Sequence, residues 1–293
     1  MDLLSQIING LGIGSIYALV ALGYSMVYGI VKLINFAHGD IIMVGAYAVY
    51  FTLVTLQFPL WAAMLAAILF CALAGIVIQR VAYQRLITKD APRISLLITA
   101  IGVSIFLQNL AQLLFKSSSR SLPSMFPSKP IQVGSFEISS MTLITLGTTI
   151  VFMALLQLLV KKTRIGKAMR ATSEDAGAAK LMGINTNVTI AFTFGVGSAL
   201  AAVAAVLYVG TYPMVNPFIG SMLGLKAFVA AVLGGIGSIP GAMVGGFILG
   251  IAESLTKGAG LSAVSDAVVF GILILVLIVR PTGILGKKMN EKV

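Results

Sequence analysis

The chain has 293 residues, 58% of them apolar and only 10% charged, with a mean hydropathy of +1.03. Such values lie well outside those of soluble globular domains and specify an all-α, polytopic transmembrane helix bundle. The formal charge of +11 does not point to nucleic acid, because the basic residues cluster beside apolar stretches, where positive charge sets membrane topology.

No acidic or basic residue occurs within 3–31, 41–79, 94–115, 138–160, 181–225 or 227–252. A helix crosses the hydrocarbon with about 20 such residues, so several of these intervals hold two passes. The first span is read at 7–31; Asp2 in place of a basic leader, together with the length of this stretch, argues against a cleavable signal peptide. A break follows, Asn35-Phe-Ala-His38-Gly-Asp40, with Met43 shortly after it. It sets the only histidine and an aspartate between two spans. His38 reads either as a helix cap or as part of a transport path. Metal ligation is discounted, since there is no second histidine.

Spans are then expected at 41–58 and 60–79, turning at Pro59, with the single cysteine, Cys71, packed in an apolar run. A basic cluster of Arg80, Arg85, Lys89 and Arg93 precedes the span 94–115, which carries Gln108, Asn109 and Gln112. Gln108 and Gln112 lie four apart on one face, where amides either join helices or line a hydrated path. A Ser/Pro-rich loop at 116–138 leads to a span at 139–160 and to a second basic cluster, Lys161, Lys162, Arg164, Lys167, Arg170 and Lys180.

Within 161–187 the pattern predicts a short helix over 172–183. Thr172 or Ser173 is the expected cap, Glu174 and Asp175 favour the N-terminal dipole, and Gly183 closes the C-terminus. Ala176, Ala179, Leu181, Met182 and Ile184 give it one apolar face for a partner; the alternative is a solvated helix with none. A span at 188–209 follows, then short apolar pieces at 225–236 and 241–252, and a last span at 263–279. The short pieces, joined by Gly-Ser-Ile-Pro-Gly (237–241), read as one or two broken or re-entrant helices. The total is eight or nine crossings in a single permease-like domain. A third basic cluster, Arg280, Lys287, Lys288 and Lys292, ends the chain. The positive-inside rule places all three clusters in the cytoplasm, the N-terminus outside and the C-terminus inside.

Ionisable groups in or beside the spans are few: Lys32, His38, Asp40, Lys226, Glu253 and Asp266. Each costs about 2.5–3.5 kcal/mol at mid-bilayer and is expected at an interface or inside the bundle. Glu253 and Lys257, four apart on one helical face, read either as an ion pair or, for Glu253, as part of a path. No phosphate loop, nucleophile elbow or His-Glu-x-x-His motif is present, so the chain is not expected to hydrolyse anything by itself.

Four segments together resemble one family: Asn35-Phe-Ala-His-Gly-Asp with Met43 and Gly-Ala-Tyr (45–47); the stretch from Glu174-Asp175 to Gly183-Ile184; Gly-Gly-Ile-Gly-Ser-Ile-Pro-Gly-Ala-Met-Val-Gly-Gly-Phe-Ile-Leu-Gly (234–250); and Arg-Pro-Thr-Gly-Ile-Leu-Gly (280–286). The chain is similar to LivH-type permeases, membrane subunits of bacterial ATP-driven importers for branched-chain amino acids. The resemblance implies a second permease subunit, related or a second copy, two ATP-binding subunits that hold ATP and magnesium, and a periplasmic substrate-binding protein. It also implies a bacterial inner-membrane location. No cofactor is expected on this chain, and membrane lipids are its surroundings. The 172–183 helix would couple to an ATPase through Glu174, Asp175, Ala179, Leu181, Met182 and Gly183. The translocation path is expected to use Asn35, His38, Asp40, Met43, Gln108, Gln112 and Glu253. Rival readings are a sugar or amide/urea permease of a related importer, a stand-alone secondary carrier with Asp40, Glu253 and Asp266 as ion sites, and a membrane lipid enzyme.

Overall fold

The computed structural model describes residues 3–126, 130–133 and 136–286. Lys287, Lys288 and Lys292 of the third basic cluster lie outside the described residues.

Among the described residues, eight helices are long and apolar enough to cross a membrane, and a ninth is shorter. In chain order, α1 (Leu3–Val31) is followed by α2 (His38–Tyr50), which runs on through a wider π turn at Phe51–Thr55. Next, α3 (Leu60–Ile78) continues through a second π turn, Gln79–Tyr83, into α4 (Gln84–Thr88). Then come α5 (Arg93–Phe115), α6 (Ser140–Lys162), the short α7 (Arg164–Glu174) and α8 (Ala176–Leu181), and α9 (Thr186–Thr211). The chain closes with α10 (Ile219–Gly234), α11 (Ile239–Gly258) and α12 (Ser265–Val279).

Two expectations change. The helix expected at 225–236 starts at Ile219, and its 16 residues give roughly 24 Å, less than the ~30 Å hydrocarbon core. The piece expected at 241–252 is a full 20-residue helix, because its apolar run continues past Glu253 once that charge is paired inside the bundle. Within the loop after α5, three short strands are present among the described residues. Its strand β1 (Arg120–Ser121) pairs antiparallel with β4 (Met214–Val215) after α9, and β2 (Ile131–Val133) with β3 (Phe136–Ile138) makes a hairpin. These strands mark one end of the bundle; α7 and α8 mark the other.

Helices α1 and α9 form the centre, buried along 72% and 83% of their spanning windows. Around them pack α11, α10, α2 and α3, while α5, α6 and α12 turn apolar side chains such as Leu113, Leu155 and Ile278 outward. In lipid, helices gain nothing by hiding leucine from their surroundings, so close packing through small residues has to supply the attraction. The α1–α11 seam has that chemistry: a Cβ on Gly246 would lie 2.6 Å from Ala18 Cα, and one on Gly250 would strike the Gly14 backbone. Gly241 and Gly245 lie on another side of α11, against the backbone of Gly234 and Ala230 in α10. The two glycine spacings of this helix therefore serve two different neighbours.

Replacing Gly250 by leucine is expected to force α1 from α11 and cost about 1–3 kcal/mol, read as a lower melting temperature of the purified protein. Gly147→Leu, at a position with no atom within 4 Å of the added Cβ, is expected to leave it unchanged.

Candidate functional site

Helix α1 stops where Lys32 adopts a left-handed backbone, φ 53°, and donates its N–H to the Tyr28 carbonyl. The chain then turns back into the bundle. His38 begins α2 with its imidazole bonded to the Val20 backbone and beside Gly23, eight to eleven residues before the end of α1. At about 1.5 Å per residue, α2 therefore starts roughly 12–16 Å inside that end. The broken element is this 32–37 segment.

His38 is not a cap. The cap position is Ala37, which has no capping side chain, and His38 lies within the helix at 2% exposure. Its ring sits edge-on to Tyr24 at 4.7 Å, in space available only because Gly23 lacks a side chain, and Nε2 has no partner among the described residues. Asn35 is buried and accepts a hydrogen bond from Tyr83 at 2.9 Å.

Asp40 is buried in the first turn of α2, where the helix dipole favours a carboxylate. It accepts from the Gln108 side-chain amide at 2.9 Å and from the Ser104 hydroxyl. The same Gln108 amide reaches Ser221, in the first turn of α10, at 3.2 Å. The starts of α2 and α10 meet here, Gly39 lying so near that an added Cβ would be 2.7 Å from the Gly220 carbonyl oxygen. Asp40, Ser104, Gln108 and Ser221 thus form one polar junction between α2, α5 and α10.

The remaining expected path residues are elsewhere. Met43 is fully buried in the core. Gln112, on the face shared with Gln108, instead accepts from Ser117 at the strand end. Glu253 belongs to a second polar cluster. Its Oε2 accepts from Tyr17 at 2.6 Å, and its Oε1 from Lys226 at 2.9 Å and from Lys257 at 2.6 Å, the last being the ion-pair reading of the sequence. Lys226 also pairs with Asp266 at 2.7 Å. This four-charge network ties α10, α11 and α12 together. The sequence offers Glu253–Lys257 as a pair and Lys226 and Asp266 singly; the signal for their union is the equal number of cations and anions in otherwise apolar helices.

At the opposite end, the single helix expected over 172–183 is two helices. Thr163 caps α7 by accepting from Gly166 N–H at 2.9 Å. Thr172 and Ser173 are not caps but bond back within α7, to Ala168 and Arg170 carbonyls, and Glu174 is the last residue of α7. The cap of α8 is Asp175, whose Oδ1 accepts from Gly177 and Ala178 N–H at 2.8 and 2.9 Å. Gly183, φ 81°, closes α8. Ala179 is buried against the protein itself, so it is not part of an outward face. Leu181 and Met182 carry that face, 91% and 82% exposed. Beside this hairpin, a hollow of about 560 Å³ lies among α1, α7 and the α10–α11 turn, with Lys32, Arg170 and Glu174 on its walls.

Among the described residues, no group of three or more histidine, cysteine, aspartate or glutamate side chains is placed to hold a metal ion.

Residues 6–277 match the family described as branched-chain amino acid transport system / permease component. The chain is 47% identical to the high-affinity branched-chain amino acid transport system permease protein LivH of Salmonella typhimurium, covering 99% of this chain and 97% of that protein. It is 46% identical to the corresponding protein BraD of Pseudomonas aeruginosa, over 99% and 98%. A probable branched-chain amino acid transport permease protein LivH of Methanocaldococcus jannaschii is 29% identical, over 93% and 89%.

Proposed function

The chain belongs to the branched-chain amino acid transport permease family, and from that membership we propose that it forms the membrane path by which an ATP-driven importer admits leucine, isoleucine and valine. The observation that carries this reading is near-full-length identity of 46–47% to permeases of that transport system. The polar junction at Asp40 supports it physically. A buried carboxylate, an amide and hydroxyls between helix starts are tolerated in hydrocarbon where they are enclosed by protein or face a water-filled cavity.

In this reading the chain is a transport subunit and not a catalyst. ATP and magnesium belong to two partner ATPase subunits, a periplasmic binding protein delivers the substrate, and a second permease subunit, related or identical, completes the path. The chain sits in the bacterial inner membrane with its N-terminus periplasmic and its C-terminus cytoplasmic. Transport follows from differential binding of partners and substrate to inward- and outward-open states. The α7–α8 hairpin offers the ATPase an apolar tip, Leu181 and Met182, held by the Asp175 cap and by the fit of α7 against α1, α6 and α9. The Lys226, Glu253 and Asp266 pairing counts against a stand-alone carrier using those carboxylates as ion sites, because both are already neutralised by lysine.

His38→Ala and Asp40→Asn are expected to slow leucine uptake at least about fivefold, in line with roughly 1 kcal/mol per lost hydrogen bond, while the purified complex keeps its subunits. Wild-type uptake by both variants would place the path elsewhere.

Leu181→Asp and Met182→Asp are expected to abolish substrate-stimulated ATP hydrolysis in reconstituted vesicles, since each side chain contributes about 1.5–3 kcal/mol when buried. Insertion of the permease should be unaffected; normal stimulation would remove the hairpin from the coupling contact.

Orientation is checked by labelling single cysteines in a Cys71→Ala background. Cysteine at Ser118 is expected to react with an impermeant maleimide in intact cells and cysteine at Lys89 only after lysis; the reverse pattern inverts the threading.

A further inference from the structure

The lysine–glutamate network does more than join helices, because it forms one wall of a cavity of about 240 Å³ at the strand end of the bundle. The polar lining is Tyr17 of α1, Tyr208 of α9, Lys226 of α10, and Glu253 and Lys257 of α11, with Tyr212 at the edge. Asp266 is not part of this lining. Within the lining, two ammonium groups face a single carboxylate, while Asp266 balances Lys226 from outside it.

Their donors are not used up. Of the three N–H groups of Lys226, two are directed at Glu253 and Asp266; Lys257 directs one at Glu253. Lys226 is nine-tenths buried, so a remaining donor there is worth more to an anion than a surface lysine would be. Tyr208 and Tyr212 place their rings 5.1 Å apart, and tyrosine faces attract a cation. Ile13, Ile16, Met222 and Leu223 supply the apolar part of the wall. The volume falls below the roughly 300–1,000 Å³ of pockets for drug-sized ligands and suits one small molecule.

We propose that this cavity is a receiving site for a zwitterionic, apolar amino acid, holding its carboxylate on Lys226 and Lys257, its ammonium between Glu253 and the Tyr208–Tyr212 rings, and its side chain on Ile16, Met222 and Leu223. The proposal rests on the branched-chain amino acid reading above and adds to it a specific first station, separate from the Asp40 junction. Because Ser221 and Lys226 are on the same helix, α10 contributes to both.

The test uses the complete transporter, with its ATPase and binding-protein subunits, in proteoliposomes. Leucine uptake is measured, and the complex is photolabelled with a diazirine-bearing leucine analogue and digested. The expected label falls on peptides around Tyr17 or 208–226, is competed by excess leucine, and drops about tenfold in Lys226→Met and Met222→Trp. Lys226→Met leaves Glu253 paired with Lys257, and size-exclusion of the complex verifies folding of both variants. Asp266→Asn breaks the network outside the cavity and is expected to keep labelling and uptake within about twofold. Label confined to other helices, or label unchanged in folded Lys226→Met and Met222→Trp, overturns the site. Equal loss in Asp266→Asn and Lys226→Met also overturns it, reducing the network to a clamp. If wild-type complex takes up none of the three branched-chain amino acids, the substrate reading itself falls, an outcome separable from intact uptake with label elsewhere.

Discussion

Hydrocarbon offers no water to a polar group, so polar groups inside this bundle draw partners from their own helix or from a neighbouring element, and the links between elements organise the structure. Asn35 is matched by Tyr83, Asp40 by Gln108 and Ser104, and Lys226 by Glu253 and Asp266. Each of these links joins elements distant in sequence. Such contacts need backbones close together, and the glycine seams between α1 and α11, α10 and α11, and α2 and α10 bring them there. Packing through small residues and satisfaction of polar groups are therefore one solution to one constraint.

The two polar clusters differ in kind. At the Asp40 junction a single carboxylate is held by neutral donors, and the nearby His38 leaves a ring nitrogen unmatched. The Lys226 cluster is a balanced set of two cations and two anions, and it fastens α12, otherwise mostly lipid-facing, to the centre. Mutual pairing offsets the desolvation of these charges, and loss of the buried Glu253 would leave Lys226 with Asp266 alone. The crossed packing of the first and last helix pairs, α1 on α11 and α2 on α10, places both clusters beside the same short helix. That helix also supplies Met222, Leu223 and Lys226 to the lining of the 240 Å³ cavity.

The hairpin at the other end follows ordinary helix-end chemistry. Arg170 donates to the Val160 and Lys161 carbonyls at the end of α6, and Met169 and Thr172 bury one side of α7. That leaves α8 displayed on a firm base, with its two largest apolar side chains outward. A soluble protein rarely exposes such a pair without a partner to cover it.

Composition and charge placement sufficed for the membrane class, the approximate spans and the order of the basic clusters, because hydrophobic length and lysine position act locally along the chain. The polar break at Asn35–Asp40 and the Glu253–Lys257 pair were legible for the same reason: both lie within one or two turns. Thr172, Ser173 and Asp175 all have capping chemistry, and only the position of the α7 end selects Asp175 as the cap of α8. Ala179 counts among the apolar positions of this segment in the sequence, and only the neighbouring helices remove it from the outward face. Tertiary structure alone decided that Gln108 meets Asp40 while Gln112 does not, that α11 is a full helix and α10 a short one, and that Lys226 reaches Glu253. Those outcomes depend on which helices touch, and in lipid that choice is made by backbone proximity at glycine, which carries no side chain to announce its partner.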